Sequence, residues 1–315
     1  DFRSSGVNSS QEVTFFIIQS LSHLDDRKMI LFVILLLAYI TLLDPKLSSP
    51  MFYFLHNLSF VDMVYTTTTI PNMLSSFLTD KLTISVPSCF LQMFFFIQLS
   101  VTGRGILTVM AYDRYLAICN PLRYAAVMTR PVQMLLVAGA WGFGVFCTLP
   151  ATSMALQRSY CGSNVIQHGW CDLSSVRRLA CTNTYVDNIV SLAFALVSLL
   201  TTGVLILTSY ILIFVSLSKM AVAQRLKALG TCAAHLTVVS ISYTAASFVY
   251  ISYRSLFSFT EVRIIVSVLY SALTPFLNPM IYSLRNKELR GAIRRTLRRF
   301  RLPAVSAPKD VITHI

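Results

Sequence analysis

Seven long apolar runs, parted by polar or proline-containing breaks, constrain this chain more than any other feature. They lie at 29–43, 51–78, 89–113, 134–157, 186–218, 228–253 and 262–284. A bilayer core of about 30 Å needs about 20 apolar helical residues, because each helical residue rises about 1.5 Å. The backbone satisfies its own polar groups there only as a helix or a closed barrel. These continuous runs lack the alternation of a membrane barrel, so an all-α bundle of seven transmembrane helices is expected. With 55% hydrophobic and 12% charged residues, an ordinary soluble globule is excluded.

The formal charge of +13 suggests nucleic acid until the cations are placed. With the N-terminus outside, sixteen fall on cytoplasmic segments: Lys46, Arg114, Arg123, Arg130, Lys219, Arg225, Lys227 and nine from Arg285 to Lys309. Nine fall outside, at Arg3, Arg27, Lys28, Lys81, Arg158, Arg177, Arg178, Arg254 and Arg263, and Arg104 lies inside a run. Cationic loops stay cytoplasmic, so an outer N-terminal segment (1–28), a helical domain (29–284) and a cytoplasmic tail (285–315) are expected. In the tail, Leu289, Ile293, Leu297 and Phe300 recur among the arginines at helical spacing. That pattern predicts an amphipathic helix on the inner leaflet, with membrane lipid and not nucleic acid as its partner. The first 28 residues show no compact basic, apolar and small-residue series, so the first apolar run is expected to start insertion.

Of seven cysteines, Cys89, Cys161, Cys171 and Cys181 fall on the outer side, where disulfides persist. Four cysteines allow three pairings. The connection 158–185 carries no helix pattern and is long enough to suggest a cross-linked or functional loop. Cys119, Cys147 and Cys232 read as reduced apolar residues. Asp62 interrupts the second run and Arg104 the third; an ionisable group at membrane depth marks a site and calls for a partner, and Asp62 is the one intramembrane acid for Arg104 to pair with. Asp113 and Arg114 close the third run, where the acid can hold the guanidinium until a competitor arrives. Pro279, beside Asn278 and Tyr282, frees a carbonyl and makes a hinge in the last run. His23, His56, His168, His235 and His314 are scattered, and no zinc-protease, phosphate-loop or dinucleotide motif occurs, so an enzyme is not expected.

Five stretches then share one pattern. They are Met110-Ala111-Tyr112-Asp113-Arg114-Tyr115, Pro50-Met51-Phe52-Tyr53-Phe54-Leu55 with Asn57-Leu58-Ser59, Ser209-Tyr210, the run from Lys227 to Leu236, and the run from Pro275 to Asn286. In this order and spacing they resemble the olfactory receptors, a branch of the rhodopsin-like G protein-coupled receptors. The resemblance implies disulfides Cys89 to Cys171 and Cys161 to Cys181, and Asp62 in a polar network that holds a sodium ion, with no other cofactor. It implies that Asp113, Arg114, Tyr115, Tyr210, His235, Asn278, Pro279 and Tyr282 serve activation and coupling to a stimulatory heterotrimeric G protein that raises cyclic AMP. Ile97, Ser100, Val101, Phe194, Ser198, Tyr243, Ala246, Ser247 and Tyr250 would line an odorant cavity in the outer half of the bundle. Their apolar, aromatic and hydroxyl chemistry suits a small, mostly apolar ligand with one polar handle. The implied location is the plasma membrane.

The chain departs from that pattern in two places. Met29 to Leu43 supplies 15 residues, about 22 Å, where the family continues with a Gly-Asn and further apolar residues before the position of Asp44. A deletion variant that folds poorly is one consequence to weigh. Gly103 and Arg104 stand where the family usually has an acid and a small residue. A secondary transporter, the rival of another class, would show two related halves, and none is visible. A rhodopsin-like receptor for an amine would need an acid between Cys89 and Val101, which has none. Asn8-Ser9-Ser10 is a glycosylation acceptor usable only on the lumenal side. If the short first helix crosses, Asn8 acquires glycan in cells, seen as a mobility shift removed by glycosidase; an unmodified Asn8 places the N-terminus in the cytoplasm.

Overall fold

In the computed structural model, residues 15–18, 49–78, 82–161, 164–166, 168, 170–254, 278 and 281 are described. Five long helices follow the apolar runs: α1 (Pro50–Leu78), α2 (Val86–Cys119), α4 (Arg130–Leu156), α6 (Tyr185–Ser218) and α7 (Val222–Arg254), with a short α3 (Pro121–Val127) and α5 (Leu173–Arg177). Strands β1 (Phe15–Ile18), β2 (Leu82–Ser85) and β3 (Val165–Ile166) complete the described elements. The first run at 29–43, Asn8, most of the seventh run and the tail lie outside the described residues.

Among the described residues, α2, α4 and α6 are long and apolar enough to cross a membrane, and α7 is a fourth if its two parts, bent by 42° on either side of Thr231, form one span. The breaks have local causes. A proline occupies the first turn of α2, α3 and α4, where its missing N–H costs nothing and its φ is already helical. Pro121 also ends α2, because Asn120 before it is pushed out of helical geometry, to φ −133° and ψ 56°. The hydroxyl of Ser85 caps α2 by accepting from the Ser88 amide.

The bundle is built around α2, which packs on α1, α4, α6 and α7. Its main core joins Phe54, Leu58 and Val61 of α1 to Leu99, Ile106 and Met110 of α2 and Val238 of α7. Small residues bring α2 and α4 together. A Cβ on Gly105 would stand 3.0 Å from the Ala140 Cβ, and one on Gly144 would stand 3.1 Å from the Gln98 carbonyl oxygen and closer still to the Thr102 hydroxyl. The opposite face of α6 is apolar and uncovered, with Leu200, Val204, Leu207 and Ile211 all about 60% exposed, the dress of a lipid-facing helix.

Two features depart from the sequence reading. The loop 158–185 is not free of regular structure: Asp172 accepts from the amides of Ser174 and Ser175 and so starts α5. The all-α expectation also misses a three-stranded sheet of order β2-β1-β3, with β1 antiparallel to β2 and parallel to β3. These strands are only two to four residues long, too short for a periodicity to announce them. Phe16 is fully buried and meets the Tyr160 ring edge-on, 5.7 Å between centroids. The sheet caps the end of the bundle that carries Cys89, whereas α1 begins at Pro50 at the far end. The described residues on either side of 19–48 therefore stand at opposite ends of the bundle.

Gly144→Val forces α4 away from a backbone carbonyl that cannot yield. A loss of about 1–3 kcal/mol is expected, read as a lowered unfolding midpoint of the detergent-solubilised protein; an unchanged midpoint would show that the α2 to α4 approach is looser than described.

Candidate functional site

At the end of the bundle capped by the sheet, Cys89 of α2 is bonded to Cys171 and Cys161 to Cys181, with Cα separations of 5.4 and 5.6 Å. Polar ties hold the loop further. The Gln92 amide donates to the Thr68 carbonyl at 2.6 Å and its oxygen accepts from the Cys171 amide at 3.1 Å, joining α1, α2 and the loop. Arg158 grips Asp187 at the start of α6 with two bonds, of 2.9 and 2.6 Å, and that bonding raises the guanidinium pKa above its ordinary value. Arg177 donates to Asn188 and Ser191, and burial pulls its pKa down. Burial also pushes the Tyr160 phenol up to about 12. The loop is thereby a fixed cover over the bundle.

A central cavity of about 40 Å³ lies between α1, α2, α7 and Asn278. Leu58, Val61, Asp62, Tyr65, Leu99, Ser100, Gly103, Arg104, Leu107, Ser242 and Asn278 line it. Asn278 donates to Asp62 Oδ2 at 2.9 Å across 216 residues of sequence. The expected pairing of Asp62 with Arg104 is not formed: both side chains line the cavity, yet no ion pair joins them. Arg104 instead turns back along its own helix and donates from Nη1 to the Ser100 hydroxyl at 3.0 Å. The cavity does not suit a sodium ion either. Among the described residues Asp62 is its single carboxylate, already held by Asn278, and a guanidinium lines the same space.

The nine residues assigned to an odorant cavity are not gathered in one described space. Ser100 lines the central cavity. Val101, Ser198 and Ala246 are buried, and Ile97 packs against the cluster beneath the disulfide. Ser198 donates to its own helix, at the Ala195 carbonyl. Tyr243 donates to Thr202 at 2.6 Å, tying α7 to α6. Phe194 faces α4, its ring 5.5 Å from that of Phe146. Ser247 is half-buried, and the Tyr250 side chain is outside the described residues.

At the opposite end of the bundle lie five of the sequence-chosen residues, Asp113, Arg114, Tyr115, Tyr210 and His235. Asp113 Oδ2 stands 3.7 Å from the Arg114 guanidinium, and Asp113 Oδ1 accepts from the Tyr124 phenol of α3 at 2.7 Å. Burial, and then the neighbouring Asp113 charge, raise the phenol pKa above its ordinary value. Close by, His235 of α7 is bonded through Nδ1 to the Tyr210 phenol of α6 at 2.7 Å and through Nε2 to the Leu107 carbonyl of α2 at 3.0 Å. One imidazole thus links three helices, and it is fully buried. The Tyr115 side chain packs between this cluster and the main core. Pro279 and Tyr282 lie outside the described residues. Sequence reasoning missed Tyr124, Gln92, Thr202 and Ser242. Tyr124, Gln92 and Thr202 each make a bond to another element and Ser242 takes part in the cavity wall, so spacing along the chain carries no trace of these roles.

Comparison with known proteins places this geometry in context. A family model described as "Olfactory receptor" matches residues 26–299. Olfactory receptor 5AN1 of Homo sapiens is 38% identical over 307 residues, covering 93% of this chain and 98% of that receptor. Olfactory receptor 6N1 of Homo sapiens is 40% identical over 301 residues, covering 91% of this chain and 96% of that receptor.

Replacing His235 by Phe keeps the bulk but leaves the Tyr210 hydroxyl unpaired, while the Leu107 carbonyl keeps only its own helix bond. About 1–3 kcal/mol of stability should be lost, seen as a lower unfolding midpoint; a variant as stable as the parent would mean that His235 does not bridge these helices.

Proposed function

The chain belongs to the olfactory receptor family, and from that premise we propose that it binds small volatile molecules in the outer half of its helix bundle and activates a stimulatory heterotrimeric G protein, raising cyclic AMP. Members of the family are multi-pass membrane receptors, not enzymes. In this reading all seven runs cross the plasma membrane, with residues 1–28 outside, 29–284 as the helical domain and 285–315 along the inner leaflet. The pairing of β1 with β2 and β3 supports the outer placement, because it ties Phe15–Ile18 to the disulfide-bearing end. It also weighs against a first segment that fails to cross, since α1 starts at the other end.

The observation that carries the mechanism is the closed inner cluster. The His235 clasp keeps α7 against α2 and α6, while Asp113, held by Tyr124, retains Arg114. A G protein needs an inner cleft, so α7 must swing away and the clasp must break. A volatile that binds the open packing more tightly than the closed one shifts the population by its differential affinity and no further. Arg114, freed from Asp113, then offers its donors to the arriving partner. Asp62 and Asn278, bonded midway between the two ends, transmit the change by holding α1 to the last run.

Cells displaying the chain are exposed to a broad volatile panel while cyclic AMP and solute uptake are followed. A subset of volatiles should raise cyclic AMP, and Arg114→Ala should abolish that response at equal surface display. Solute flux without any cyclic AMP response would overturn the reading.

A further inference from the structure

Arg104 sits midway along α2 with 4% of its surface exposed, and no carboxylate lies within ion-pair distance among the described residues. Nη1 is satisfied by Ser100, while Nε is buried with no partner. A guanidinium at that depth is stable when an anion completes its donors. Asp62 does not serve, because Asn278 holds it and no ion pair reaches across the cavity. The cavity that Arg104 lines has room for a head group or a few waters, not for a whole odorant. Tyr65, Leu99 and Ser100 form its outward wall. Among the described residues Arg104 is the cation that both lines this cavity and keeps a buried donor without a partner, a demand that a ligand of fixed chemistry could meet.

We propose that Arg104 and the Ser100 hydroxyl form a recognition point for a carboxylate, so that the volatiles this chain takes are small carboxylic acids held head-down with the tail directed outward, past Tyr65 and Leu99. The inference rests on the reading of the chain as a receptor for volatiles and names the class of ligand. The carboxylate accepts from Nε–H and a neighbouring Nη–H in the planar fork that a guanidinium presents. Ser100 already accepts from Nη1, which leaves its own proton free to donate to the second oxygen. The guanidinium turns away an ammonium head.

The test uses the full chain displayed on cells at neutral pH, where aliphatic acids are ionised. Cyclic AMP is read against acids, primary alcohols and primary amines of matched chain length. Acids should act at the lowest concentrations. Arg104→Gln should raise the half-maximal concentration for acids by about tenfold or more while moving the alcohols less, and Arg104→Lys should recover part of the loss. Alcohols or amines outperforming acids on the parent chain would overturn the inference, and so would an equal shift for acids and alcohols in Arg104→Gln. The parent series decides the matter even if a variant fails to reach the surface. Silence toward every head group from a displayed chain would instead overturn the receptor reading, and this inference with it.

Discussion

Inside a bilayer no water completes a broken hydrogen bond, so a buried polar group of this chain is stable where it finds a partner in the protein. The architecture follows from that constraint. Thr66, Thr69, Thr152 and Thr202 return their hydroxyls to carbonyls three or four residues back on their own helices, which costs the bundle nothing in long-range order. His235, Asn278 and Gln92 cannot do so and therefore join helices: α7 to α2 and α6, the last run to α1, and α1 to α2 and the outer loop. The same groups that stabilise the closed packing are those that must exchange partners if it opens. Stability and switching thus rest on one set of bonds.

The two ends of the bundle are built differently. The outer end is held by two disulfides, a bidentate ion pair and a small sheet, none of which exchanges readily. The inner end is held by single hydrogen bonds and by a 3.7 Å ion pair between adjacent residues. A covalent cover above and breakable bonds below direct any rearrangement toward the inner side. Arg104 lies between the two ends, and no described group at either one takes up its charge.

Much of the fold was legible because lipid enforces a simple rule. The runs 51–78, 89–113, 134–157, 186–218 and 228–253 became α1, α2, α4, α6 and α7 with small changes at the ends, since apolar length and proline placement govern both the pattern and the helix. The partnership of Tyr210 with His235 was half-legible: the motifs marked both residues, but only the crossing of α6 and α7 puts 2.7 Å between them. Arg104 was visible as an anomaly, yet its side chain folds back along α2 to Ser100 and makes no ion pair with Asp62 across the cavity. The short strands and α5 were not legible, because two to five residues carry no usable period.

By itself, then, the sequence determined that the chain is a bundle of membrane helices with cysteines toward one end, an Asp-Arg pair toward the other and two ionisable groups within the helices, since hydropathy and charge act locally. The tertiary structure alone decided which of those groups meet. Side-chain partnership depends on the rotation and crossing of helices far apart in the chain, and small residues such as Gly105 and Gly144 set that crossing by letting backbones touch. For that reason Asp62 found Asn278 from across the whole molecule, and Arg104, nearer in sequence, was left for something else.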